Sequence, residues 1–174
     1  MTDGSNSFAQ LYQRRWSDPN WRIGFDAIGV YDLMKSYPTR NWAGVLPYQP
    51  RKWARDVGDD VGRLESVVNE VLIPALLVVV DFEEEALVRP FLRDDIVWRN
   101  ADTNVMGALN DMLKAKSLLL RAARLEELKL AWQTILDRGL TRSRNRAQEV
   151  CDALAASLDA AESEPSTAAV DRDC

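Results

Sequence analysis

Apolar positions recur every three to four residues along most of this chain, which is the spacing of helices with one buried face. Ile23, Ala27, Val30 and Met34 form the first such stripe. Asp18 followed by Pro19 supplies an N-cap carboxylate and a proline at the first helical position, and Pro38 marks the stop. A connector carrying two prolines, GVLPYQP, covers residues 44–50. Beyond it, Trp53, Val57, Val61, Leu64, Val67, Val68, Val71 and Leu72 trace a second amphipathic helix.

The pattern then changes. NEVLIPALLVVVDFEEE, residues 69–85, holds the most apolar run in the chain, with Pro74 inside it and three glutamates at its end. A proline in a helix interior costs about 3 kcal/mol, so a kink or a restart is expected at Pro74. The β-branched Val78, Val79 and Val80 leave a short strand open as an alternative. The run is half the length of a membrane span and reads as core. Residues 83–103 are charged, contain Pro90 and have no clean period, which predicts a long loop.

A third stripe, Val105, Leu109, Met112, Leu113, Leu119, Ala123 and Leu130, predicts the longest helix, capped by Asp102 or Thr103 and ending at Gly139. Val150, Leu154 and Leu158 place a last amphipathic helix over residues 146–161. The tail EPSTAAVDRDC is too polar and small to bury and is expected to be disordered. The expected architecture is all-α: a four-helix bundle with a long charged loop and an extra C-terminal helix, as one domain over residues 1–162.

Composition narrows the chemistry. With 174 residues, 47% hydrophobic and 28% charged, the chain has the makings of an ordinary globular domain. Twenty-two basic against 27 acidic residues give a net charge of -5, so any nucleic-acid contact has to be a local patch. Histidine is absent, which removes the usual near-neutral general base and the commonest metal ligand. Cys151 and Cys174 have neither metal-site spacing nor a disulfide framework, and read as free thiols. No phosphate-cradling glycine loop or nucleophile elbow occurs. Neither a catalytic residue, a cofactor, a metal, a small-molecule substrate nor a membrane is expected, and the N-terminus lacks the blocks of a secretory signal.

Acid pairs such as Asp59–Asp60 and Asp94–Asp95 are neighbours in sequence and point to different faces. Glu126 and Glu127, beside Arg124 and Lys129, suit pairing on a helix surface. Six tryptophans are a heavier load than usual; such residues bury into a core or a subunit interface more often than they stack on bases, and this number suggests contact surfaces beyond the chain's own core. Arg138, Arg142, Arg144 and Arg146 form a cluster with no acid between them. Such a cluster serves either to complement a helix C-terminus near Gly139 or to contact phosphate.

Several of these pieces, in order, resemble the coat proteins of rod-shaped helical plant RNA viruses of the tobamovirus and benyvirus type. SFAQLYQRRWSDP is similar to that family's aromatic lead-in to a Trp-x-Asp-Pro helix start. NEVLIPALLVVVD is similar to its Asn-x-Val-Leu-x-Pro segment, and LNDMLKAKS to the helix that carries acid, base and serine at the RNA groove. RLEELKLAWQTILDRGL resembles the close of the bundle in the benyvirus branch. Where the family has arginines just beyond the apolar run, this chain has Glu83, Glu84 and Glu85.

The resemblance covers roughly residues 8–140 and implies a virion protein that assembles with copies of itself into a helical rod around single-stranded RNA. On that basis Pro74 would start a core helix. Arg40, Asp111, Lys116 and Ser117 are implied to face the RNA, with Arg89 and Arg93 added for their charge and loop position. Glu83, Glu84, Glu85, Asp94 and Asp95 are expected to crowd between subunits, so that ionising them drives the rod apart and acid favours assembly. The alternative is a helical adaptor of bacterial or phage origin that grips a protein partner through tryptophan-rich faces.

Overall fold

The computed structural model describes residues 22–89 and 101–163. Asp18, Pro19, Arg93, Asp94, Asp95 and the C-terminal tail therefore lie outside the described residues. The chain is mostly helical, with a small three-stranded sheet, so the all-α expectation is corrected.

Helix α1 spans Phe25–Ser36 and buries Ala27, Tyr31 and Met34. Strand β1 (Val45–Pro47) follows, within the segment expected to be a plain connector. Helix α2 spans Pro50–Val57, with proline at its start. Helix α3 spans Val61–Val67 and runs on as a π turn, Val68–Leu72. The expected single helix over this region is thus two. Gly58 adopts φ +71 and closes α2, with the Gly58 N–H on the Arg55 carbonyl and that of Asp59 on the Ala54 carbonyl. The Asp60 carboxylate then caps α3 by accepting from the Arg63 N–H at 2.9 Å.

Pro74 neither kinks a helix nor restarts one. It lies in the turn that ends the π segment, where the Leu76 N–H reaches the Ile73 carbonyl at 2.9 Å and the Leu77 N–H reaches the Leu72 carbonyl at 3.0 Å. That is the bond pattern of a helix stop with a left-handed residue, here Leu76 at φ +56. Strand β2 (Val78–Val80) and strand β3 (Glu85–Val88) follow as an antiparallel hairpin in place of the expected helix and loop.

The sheet order is β1-β3-β2, with Leu87 opposite both Val45 and Val79, and Ala86 opposite both Leu46 and Val80. Both faces are covered. Leu46, Val78, Val80, Ala86 and Val88 enter the main core, whereas Val45 and Leu87 join Ala115, Leu120 and Ala123 in a second cluster, with Val79 packed against it. Alternate strand residues point to opposite faces, so a strand buried on both sides must be apolar throughout. That is the physical reason for the unbroken valine run.

Helices α4 (Ala101–Met112), α5 (Leu118–Asp137) and α6 (Thr141–Ser163) complete the described chain. The helix expected over this region is broken at residues 113–117. The break changes the phase of the stripe: α5 buries Leu120, Ala123, Arg124, Glu127, Leu128, Ala131 and Ile135, and exposes Leu119 and Leu130, two of the residues expected inside. Gly139, at φ +64, ends α5 as expected. Helix α6 packs along α5 and α4, α1 packs on α3 and the π turn, and the sheet lies against α1 and α5.

Candidate nucleic-acid interface

The break between α4 and α5 gathers residues from distant parts of the sequence. Asp111, at the end of α4, accepts the Trp42 N–H at 2.9 Å and pairs with Lys114 at 2.6 Å. Its basic neighbour is therefore Lys114. Lys116 donates its backbone N–H to Glu85 Oε2 at 3.0 Å, which ties the break to β3, while its side chain faces solvent. Ser117 is buried and is the N-cap of α5, accepting from the Leu120 N–H.

Arg124 lies beneath this break at 0% exposure. Its Nη1 donates to the main-chain carbonyls of Asp111 (3.1 Å) and Met112, the last residues of α4. It therefore gives a donor to the Met112 carbonyl at the helix end and shares the Asp111 carbonyl with the Lys114 N–H. Nε and Nη2 have no partner. Burial pulls the guanidinium pKa down to about 10, while the charges of Glu85 and Asp111 act the other way. Arg121 sits alongside, its Nε on the Ala115 carbonyl at 2.9 Å.

Arg89, immediately after β3, bonds to Glu127 at 3.1 Å and Glu126 at 3.0 Å. Glu127 is 2% exposed, so the expected surface pairing of Glu126 and Glu127 along their own helix is corrected. They pair instead with a residue beside the sheet. Arg124 and Glu127 fall on the inner stripe of α5 once the helix is phased from its cap at Ser117. That phase was the available signal for two residues that sequence reasoning put on the surface.

Arg40 stands apart from this set. Its Nη1 donates to the Asn41 carbonyl at 2.8 Å, and burial lowers its pKa. It belongs to the turn preceding β1, two residues before the Trp42 N–H that holds Asp111. The glutamates divide. Glu83 and Glu84 are exposed on the β2–β3 turn, which Asp81 organises by accepting the Glu83 N–H at 3.2 Å, and Glu85 turns to the helix break.

At the surface of the break Lys114, paired with Asp111, and Lys116 are exposed beside the N-terminal end of α5, with Arg121 half-buried alongside and Arg124 beneath. Exposed ammonium groups at the positive end of a helix dipole attract an anion. Among the described residues, no group of three or more His, Cys, Asp or Glu side chains could hold a metal ion. No helix among them is long and apolar enough to cross a membrane.

The tryptophans do not form one face among the described residues. Trp53 is fully buried, in edge contact with Tyr37 and Tyr48. Trp132 is half-buried, and Trp42 is exposed, with its indole over Gly107.

No family model, no curated protein and no solved structure matches this chain.

Proposed function

We propose that this chain is a structural, non-catalytic coat-type protein that polymerises with copies of itself along single-stranded RNA. The observation that carries the reading is the convergence at the helix break. Asp111, Lys116 and Ser117, neighbours in the stretch that carries the resemblance, share one small region with Lys114 and with Glu85 from β3. The surface there is locally basic on an acidic chain, as an RNA contact on such a protein requires. In this reading α1, α4, α5 and α6 are the rods of the bundle, and Lys114 and Lys116 meet backbone phosphates. Asp111 and Arg124 hold the break in shape, and Arg89 fixes α5 to the sheet.

Self-association draws support from unsatisfied apolar surface. A groove of about 520 Å³ between α1 and the α2–α3 turn is lined by Val30, Leu33 and Leu64, with Phe25 and Val57 exposed at its edge. Sedimentation of the purified protein with single-stranded RNA tests the proposal. Large RNA-dependent assemblies are expected, weakening with salt.

The same groove favours a second reading, an adaptor that seats an apolar segment of a protein partner. In that case the protein stays a small oligomer and its sedimentation does not respond to RNA.

A further inference from the structure

Trp42 keeps 47% of its surface exposed, yet the backbone that carries it is tightly held. Asn41 closes the turn, its Oδ1 accepting the Ala43 N–H at 3.0 Å and the Val45 N–H at 2.9 Å. The Gly44 carbonyl accepts the Val88 N–H at 2.9 Å, which ties the same turn to β3. The Trp42 N–H goes to Asp111 Oδ2 on α4 at 2.9 Å. The indole then lies over Gly107, one helical turn before Asp111. A Cβ at Gly107 would meet the ring at 3.6 Å, and a longer side chain would compete with it for space. A half-exposed indole leaves much of its apolar surface in water, so a turn that fixes it there serves something other than the core.

The other oxygen of that carboxylate, Asp111 Oδ1, holds the Lys114 ammonium at 2.6 Å, and the Lys114 side chain is 69% exposed. An exposed aromatic residue and an exposed cation are thus fixed by the two oxygens of one buried acid. An ammonium has three N–H donors, so the bond to Asp111 leaves two for a phosphate. The groups bonded to the turn are polar: Asn41 and Asp111, with Arg40 donating to the Asn41 carbonyl. The indole therefore lacks the desolvated apolar surroundings in which a protein partner seats a tryptophan. An exposed ring beside a cation suits a single nucleic-acid strand, which offers a base to the one and a phosphate to the other.

We infer that Trp42 is a base-stacking platform, and that Trp42 and Lys114 together take one nucleotide of a single strand, its base on the indole and its phosphate on the ammonium. The inference rests on the RNA-binding reading of the chain and deepens it: that reading needs phosphate contacts alone, whereas this one assigns a contact to the base. Asp111 is then the positioning residue that sets ring and cation side by side. Stacking accepts any base, because each has a π face, so the contact suits a protein that covers RNA whatever its sequence.

The test is fluorescence anisotropy, over a salt series, of a labelled oligoadenylate and of an abasic strand of equal length, which has the same phosphates and no bases. Wild type should bind the oligoadenylate about ten-fold more tightly than the abasic strand. W42L should bind the two alike, with an unchanged slope of log affinity against log salt, and W42F, which keeps a ring, should retain most of the preference. K114Q should keep the preference and lose about 0.7 from the slope, the value of one phosphate contact on a single strand. The oligoadenylate should also quench a part of the wild-type tryptophan emission that W42F lacks. No base preference in wild type, or a preference that W42L retains, overturns the inference and leaves the RNA reading standing, because both strands still bind. An unchanged slope in K114Q overturns the pairing of ring and cation. Loss of RNA-free self-association in W42L overturns the inference too, since Trp42 would then be a contact between copies, and so does lost helicity, since the indole would then serve the fold. Absence of wild-type binding to either strand overturns both readings.

Discussion

Arg124 and Asp111 are joined through the backbone: the buried guanidinium donates to the Asp111 main-chain carbonyl at 3.1 Å, while the Asp111 carboxylate is held by Lys114 and the Trp42 N–H. One arginine thus terminates α4 from inside the fold and leaves the cationic side chains of the break on the outside. Replacing Arg124 by Ala opens a cavity and takes the buried donor from the Met112 carbonyl, and should lower stability by about 3 kcal/mol in urea unfolding. Arg124→Met keeps the volume and removes a desolvated charge, and should cost less than half as much.

Arg89 and Glu127 form the second buried junction, between β3 and α5. Arg89→Leu takes the guanidinium away from a carboxylate that remains buried, and should cost about 3 kcal/mol. Adding Glu127→Gln should recover a large part of that loss. A double-mutant cycle measures the coupling directly, and additive single effects would show that the pair is not coupled.

Leu76 occupies the left-handed region at φ +56 with an exposed side chain. A side chain in that conformation costs about 1 kcal/mol, and little burial is lost on removing this one. Leu76→Gly should raise stability by roughly that amount, less the added entropy of a glycine in the unfolded chain. A clear loss of stability would mean that Leu76 makes a contact that outweighs the strain.

The tyrosines set the alkaline limit. The Tyr37 phenol donates to Asp56 at 2.5 Å, and that bond, followed by burial, raises its pKa; burial first, and then Glu65, raises that of Tyr48. A phenol with a raised folded-state pKa contributes stability that is present below its unfolded value near 10 and is lost as pH climbs through the folded value. Stability should therefore fall above about pH 10, and ultraviolet titration should show late-ionising tyrosine. Asp56→Asn should bring one phenol back toward its ordinary range.

The stretches that are helical on either side of the sheet and the stop at Gly139 were legible in the sequence, because caps and left-handed closures act over a few residues. Gly139 closes α5 as its position foretold, and the Gly58-Asp59-Asp60 stretch carried a closure and a cap that a continuous apolar stripe concealed. Of the sheet only β2 was legible, as the short strand that the β-branched Val78, Val79 and Val80 left open. A valine run buried on both faces has neither helical period nor strand alternation, and its partners at Val45 and Leu87 are set by tertiary pairing. The phase of α5 was hidden for a related reason: Ser117 resets the stripe, and the reset places Arg124 and Glu127 inside. Asp111, Lys116 and Ser117 were proposed as site residues from their resemblance to a helix of RNA-groove residues. The bond of Ser117 to the Leu120 N–H is a local cap, whereas the partners Trp42 and Glu85 depend on packing that spacing does not encode.

Nuclease protection of a long single-stranded RNA by wild type and by K114E/K116E tests the central claim most directly. The account predicts a protected RNA sedimenting with the wild-type protein, and rapid digestion with the charge-reversed variant at unchanged helical content. Digestion of the RNA at the same rate with and without wild-type protein, at low salt and high protein concentration, would contradict it.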